Sequence, residues 1–148
     1  MHDFITPNAE SLERLRAFIS KLTEIDLRVS TPAGWTVAGV LAHLAFWDRR
    51  AVVLLRRWKE SGFSPSPADA DPINDATKDL CLAVEPRLAA DLCLAAAHEV
   101  NQALSTLSPD LIDAIRASED SIDLNRWEHR NEHLDELETV LVQFRWAR

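Results

Sequence analysis

Apolar positions recur every three to four residues through four long stretches of the chain, the period of a helix that buries one face. Leu12, Leu15, Ile19 and Leu22, with Phe18 and Ile25 beside them, predict a first amphipathic helix over about 8–25. Thr6 is placed to cap it, with Pro7 at its first helical position. Val40, Leu44, Trp47, Ala51, Leu54, Leu55 and Trp58 form the apolar side of a second helix, which follows a turn at Thr31-Pro32-Ala33-Gly34, is capped by Thr36 and runs to about 61. A third, over about 86–107, buries Leu88, Leu92, Ala95, Ala96, Val100 and Leu104; a fourth, over about 124–146, carries Leu137, Val140, Leu141 and Phe144 on one stripe. Four long amphipathic helices of this kind predict an all-α fold, a four-helix bundle.

The segments between them are short or breaker-rich. Asp71-Pro72 opens an accessory helix that Pro86 ends or kinks, and Ser108-Pro109 opens another to about 117. The stretch 62–72, with three prolines, reads equally as a binding loop or as a plain connector. Arg49, Arg50, Arg56, Arg57 and Lys59 give the second helix a basic edge, either solvated or paired with acids of the fourth long helix.

Composition narrows the picture further. Only three glycines and no tyrosine in 148 residues leave little material for β-hairpins, and the length suits one domain spanning 1–148. A formal charge of −8 argues against nucleic acid or an anionic membrane as partner. The opening Met1-His2-Asp3-Phe4-Ile5-Thr6-Pro7 has neither the basic start nor the apolar run of a leader, and no stretch is long and apolar enough to span a bilayer, so a cytoplasmic protein is expected. Cys81 and Cys93, twelve positions apart, match no redox or zinc-ribbon spacing and read as small buried apolar residues.

The chemistry concentrates in 126–134, Arg-Trp-Glu-His-Arg-Asn-Glu-His-Leu. His129 and His133 are four apart, so on a helix both imidazoles share a face and are close enough to bind one metal ion. They lie on the stripe that Leu137, Val140 and Leu141 continue, whereas Glu132, Asp135, Glu136 and Glu138 fall mostly off it. His43 lies on or beside the stripe of the second helix. It can complete a three-imidazole site for Zn²⁺ or Ni²⁺ if the starts of the second and fourth long helices share one end of the bundle. Such a site leaves a coordination position free for water or substrate. His98 has no partner in the pattern and is expected to be solvated or hydrogen-bonded. Residues 129–133 also satisfy the H-x-x-E-H pattern of inverted zinc proteases, but only fifteen residues follow His133, too few for their distant carboxylate ligand.

Gly34-Trp35-Thr36-Val37 leading to Leu41-Ala42-His43-Leu44 and Trp47, then Ile73-Asn74-Asp75, then Arg126, His129-Arg130 and Glu132-His133-Leu134, resembles the DinB-like (YfiT-like) superfamily. That superfamily includes the N-terminal domain of mycothiol-dependent maleylpyruvate isomerases and the bacillithiol transferases. The resemblance covers nearly the whole chain. It implies a four-helix bundle with short accessory helices in which His43, His129 and His133 ligate a divalent ion, a bacterial origin and a homodimer. It further implies thiol-dependent transferase, isomerase or hydrolase chemistry on small electrophiles, with a low-molecular-weight thiol as co-substrate. The additional C-terminal domain of the mycothiol isomerases, and with it their specific activity, is not expected here.

Residue by residue, Arg126 sits one turn before His129, placed either for a cofactor carboxylate or for a structural ion pair, and Trp47 and Asn74 are candidates to line a substrate pocket. Two further function classes stand beside the enzyme: a non-catalytic bundle that sequesters a small toxic molecule, and a metal-free helical module acting through dimerisation.

Overall fold

The computed structural model describes residues 3–147. The described residues form seven helices and no strand: α1 (Ile5–Ser20), α2 (Glu24–Arg28), α3 (Val37–Ser61), α4 (Ala70–Ala83), α5 (Pro86–Ser105), α6 (Pro109–Arg116) and α7 (Arg126–Trp146). The all-α expectation holds. Among the described residues no helix is long and apolar enough to cross a membrane.

The four long helices, α1, α3, α5 and α7, close a ring in which α5 lies between α1 and α3, and α7 completes the circuit on the other side. Side-chain pairings fix the directions. Ser11 meets Asn131 and Arg14 meets Asp135 and Glu138, so α1 and α7 run parallel. Arg49 and Arg56 pair with Glu99 while Lys59 reaches the Ala103 carbonyl, so α3 and α5 also run parallel. Asp48 pairs with Arg126 and His43 meets His129 and His133, which makes α3 and α7 antiparallel. Two neighbouring parallel helices need a return connection, and the segment 62–69 with α4 supplies it.

Several local signals act as read. Thr36 accepts from the Gly39 amide at 2.9 Å, capping α3. Gly34 adopts φ +82 in the preceding turn, where a side chain would be strained. Gly39 has a different role: a Cβ there would come within 2.8 Å of Leu82, so its absence lets α4 lie close on α3. Pro86 is the first residue of α5, and the Glu85 carboxylate accepts from the Arg87 and Leu88 amides. Cys81 and Cys93 are free and buried.

Four expectations are corrected. The first helix runs from Ile5 to Ser20, not over 8–25. Asp3 rather than Thr6 accepts from the first amides, and Pro7 is tolerated because first-turn N–H groups have no intrahelical partner. Thr23 and Asp26 then form a reciprocal capping box that starts α2 as a separate element and leaves Ile25 exposed.

The buried face of α5 is Ala89, Ala90, Cys93, Ala96, Ala97, Val100 and Leu104, while Leu88 and Leu92 are exposed. Small residues there allow close packing against α3. On the basic edge of α3, Arg49 and Arg56 pair with Glu99 of α5 rather than with acids of the fourth long helix, and both remain largely solvated. The stretch from Gly62 is held in place, since Ser64 and Ser66 carbonyls accept from Trp58 and Arg50, and the Ser66 amide donates to Asp120.

Candidate metal centre

His43, in the second turn of α3, and His129 and His133, in the first two turns of α7, meet in one place. The starts of α3 and α7 do not share one end of the bundle; α7 begins beside the middle of α3, and its first turns run back along it toward His43. The candidate ligand atoms of the three rings lie within 4.8 Å of one another. Ring centroids are 5.2 Å apart for His43 and His129, 5.0 Å for His43 and His133, and 4.8 Å for His129 and His133. Each pair is close to perpendicular, the arrangement of three imidazoles turned toward a common point.

His43 is 7% exposed and His129 and His133 are half-buried. Burial, reinforced by His133, pushes His43 down to about 4. Burial, then His133 and His43, with Arg126 and Arg130 behind them, pushes His129 down to about 3. Both rings are therefore neutral at pH 7, the form that ligates a metal.

One distance fits a divalent ion. The Nε2 atoms of His43 and His129 are 3.2 Å apart. Two nitrogens on one tetrahedral ion, each at ~2.0–2.1 Å, would be about 3.3 Å apart. His43 Nδ1, across the ring from that Nε2, is buried without a hydrogen-bond partner. His133 Nδ1 lies 3.4 Å from a Glu136 carboxylate oxygen, too poorly aligned for a hydrogen bond but placed to orient the ring.

The histidines lie in a pocket of about 360 Å³ also lined by Ala33, Trp35, Val40, Asn74, Asp75, Glu132 and Glu136. Of the three residues read as substrate contacts, Asn74 lines this pocket. Trp47 donates from Nε1 to Asn74 Oδ1 at 2.9 Å and so sets how that amide faces. Arg126 donates from Nε to Asp48 at 3.0 Å in an ion pair that is about nine-tenths buried on both sides. His98 is exposed.

Behind the histidines lies a polar group that the sequence reading missed. Arg130, 2% exposed, donates to Asp48 at 3.4 Å and to the Asn8 carbonyl at 3.2 Å. Asn8, also 2% exposed, donates from its side chain to the Leu124 carbonyl and accepts from the Trp127 amide, both at 2.9 Å. Asn125 makes no side-chain cap, so Asn8 of α1 caps α7 from outside the helix. A signal for these residues did exist. Asn8 is four before Leu12, Asp48 four after Leu44 and Arg130 four before Leu134, so each polar residue occupies an apolar register.

A helical bundle with three imidazoles converging from facing helices into an open pocket has the architecture of a metal-binding bundle. The chain matches the family model described as mycothiol maleylpyruvate isomerase N-terminal domain over residues 9–130, and it belongs to that family, a DinB-like superfamily domain. The matched segment includes His43 and His129 and ends before His133. No curated protein and no solved structure matches the chain.

Proposed function

We propose that the protein is a divalent-metal-dependent enzyme in which His43, His129 and His133 hold the ion, acting on a small electrophile as a thiol-dependent transferase or hydrolase. The observation that carries this reading is the convergence of three imidazoles, two of them held neutral, in a pocket open to small molecules. A Zn²⁺ or Ni²⁺ ion there would supply Lewis acidity, lowering the pKa of a bound thiol or water.

The protein's own residues do the rest. α3 and α7 present the rings, and Asp48 fixes Arg126 and Arg130 so that His129 between them keeps its place. Asn74, oriented by Trp47, offers an amide to substrate. Cys81 and Cys93 are buried with their thiols pushed up by burial, which disfavours either as nucleophile and supports a small-molecule thiol. With this reading we propose small molecules as partners and a cytoplasmic, bacterial homodimer.

Elemental analysis of protein purified without a histidine tag or chelator tests the site. About one divalent ion per chain is expected in the wild type, and a loss of most of it in the His129→Ala variant. Equal metal in both proteins would refute the ligand assignment. Consumption of many equivalents of electrophile in the presence of thiol would then separate an enzyme from a sequestering protein, which protects only stoichiometrically.

A further inference from the structure

The charged side chains that line the pocket over the histidines are all acidic. Asp75, Glu132 and Glu136 line it and are exposed, while no lysine or arginine is among its lining residues. Against these three carboxylates stands one cation at the edge. Lys78 donates to the Ala33 carbonyl at 3.1 Å and lies 5.7 Å from the centre of the Trp35 ring, at the pocket's edge. Arg126 and Arg130 are both bound to Asp48. The three imidazoles beneath this rim, with candidate ligand atoms within 4.8 Å of one another, mark the place a ligand would occupy.

The three imidazoles bring no negative charge to the ion, so the rim carboxylates are the anions a ligand meets on entry. We propose that this rim selects the small-molecule thiol by charge, accepting amine-bearing or uncharged thiols over carboxylate-bearing ones, with Glu132 and Asp75 as the specificity residues. The proposal rests on the metal-centre reading. Glu132, which the H-x-x-E-H pattern would make a protease base, thereby acts on the ligand's charge. Exposed carboxylates at several ångströms and ordinary ionic strength each change the affinity ratio of a cationic to an anionic thiol by about two- to fivefold.

The test uses Co²⁺-loaded protein titrated with cysteamine, 2-mercaptoethanol and 3-mercaptopropionate at one pH, following sulfur-to-cobalt charge-transfer absorption. Each thiol binds as its anion and releases its proton to the buffer. Since the three differ in acidity, the diagnostic quantity is the cysteamine-to-mercaptopropionate affinity ratio and its change between proteins. The ratio should fall about tenfold in the Glu132→Gln, Asp75→Asn double variant, with an unchanged circular dichroism spectrum, and shrink toward the variant's value in 1 M salt. An equal ratio in both proteins overturns the proposal. Cobalt binding without a sulfur band for any thiol overturns it while leaving the metal centre intact. No cobalt uptake overturns the metal-centre reading and the proposal with it.

Discussion

Asn8 shows how much a single side chain decides in this protein. Its amide nitrogen and oxygen are used on the Leu124 carbonyl just before α7 and on the Trp127 amide in its first turn, and its backbone oxygen receives Arg130 and Asn101. Removing the side chain in Asn8→Ala leaves the Trp127 amide and the Leu124 carbonyl in a largely buried setting without partners, at about 1–3 kcal/mol each. We expect a loss of about 3 kcal/mol in chemical denaturation, or roughly 6–12 °C in Tm. Asn8→Asp should fare no better, because it keeps the acceptor for Trp127 but turns a carboxylate oxygen toward the Leu124 carbonyl. At this scale the three histidines were legible, since i,i+4 spacing and the apolar stripe together specify a face. Asp48, Arg130 and Asn8 were not. A charged or amide residue in an apolar register resembles a break in the stripe until its partners on other helices are known.

At the scale of elements, the start of α2 is tied to the end of α7. Asp26 accepts from the Thr23 amide at 3.0 Å and from Arg145 at 3.1 Å, and it is 3% exposed. Burial raises its pKa, but the hydrogen bonds from Thr23 and the Arg145 guanidinium outweigh burial and hold it below the ordinary 3.8. A depressed carboxyl pKa contributes stability that is complete above the unfolded-state value and disappears as pH falls through the folded-state value. The stability advantage of wild type over Asp26→Asn should therefore be constant from pH 7 to about 5 and shrink as the pH drops below about 4. Urea denaturation at several pH values measures it, and an advantage that persists undiminished to pH 2 would contradict the assignment. The accessory helix was unreadable as a separate element because Ile25 continues the apolar spacing of α1; the Thr23–Asp26 box overrides that spacing. The face of α5 was misread for a related reason. Leucine outranks alanine and cysteine in apolar content, yet close approach to α3 selects the smaller residues.

Across the whole molecule, the buried apolar residues fall into two clusters divided by a polar layer. One contains Leu12, Leu15, Leu41, Ala45, Ala97 and Leu134; the other contains Phe4, Ala51, Leu55, Val100 and Leu124. Asn8 falls between Phe4 and Leu12, Asp48 between Ala45 and Ala51, and Arg126 and Arg130 between Leu124 and Leu134, so α3 crosses the layer at Asp48 while α1 and α7 meet it in their first turns. Helix number and length were legible from periodicity, whereas the parallel pairing of α3 with α5, and hence this layer, depends on tertiary pairing that no local pattern records. A buried ion pair is weak evidence for stability, and its best-supported use is to fix alignment between helices. That distinction can be measured. Asp48→Leu alone strands Arg126 and Arg130 and should cost about 3–5 kcal/mol. The Asp48→Leu, Arg126→Gln, Arg130→Met triple variant removes the stranded charges and should recover most of that loss. If the layer holds α7 in register with α3, the triple variant will nevertheless bind Zn²⁺ at least about tenfold more weakly than wild type, the order of effect that supporting residues have on metal sites. Wild-type affinity in a stable triple variant would show that packing alone aligns His43 with His129 and His133.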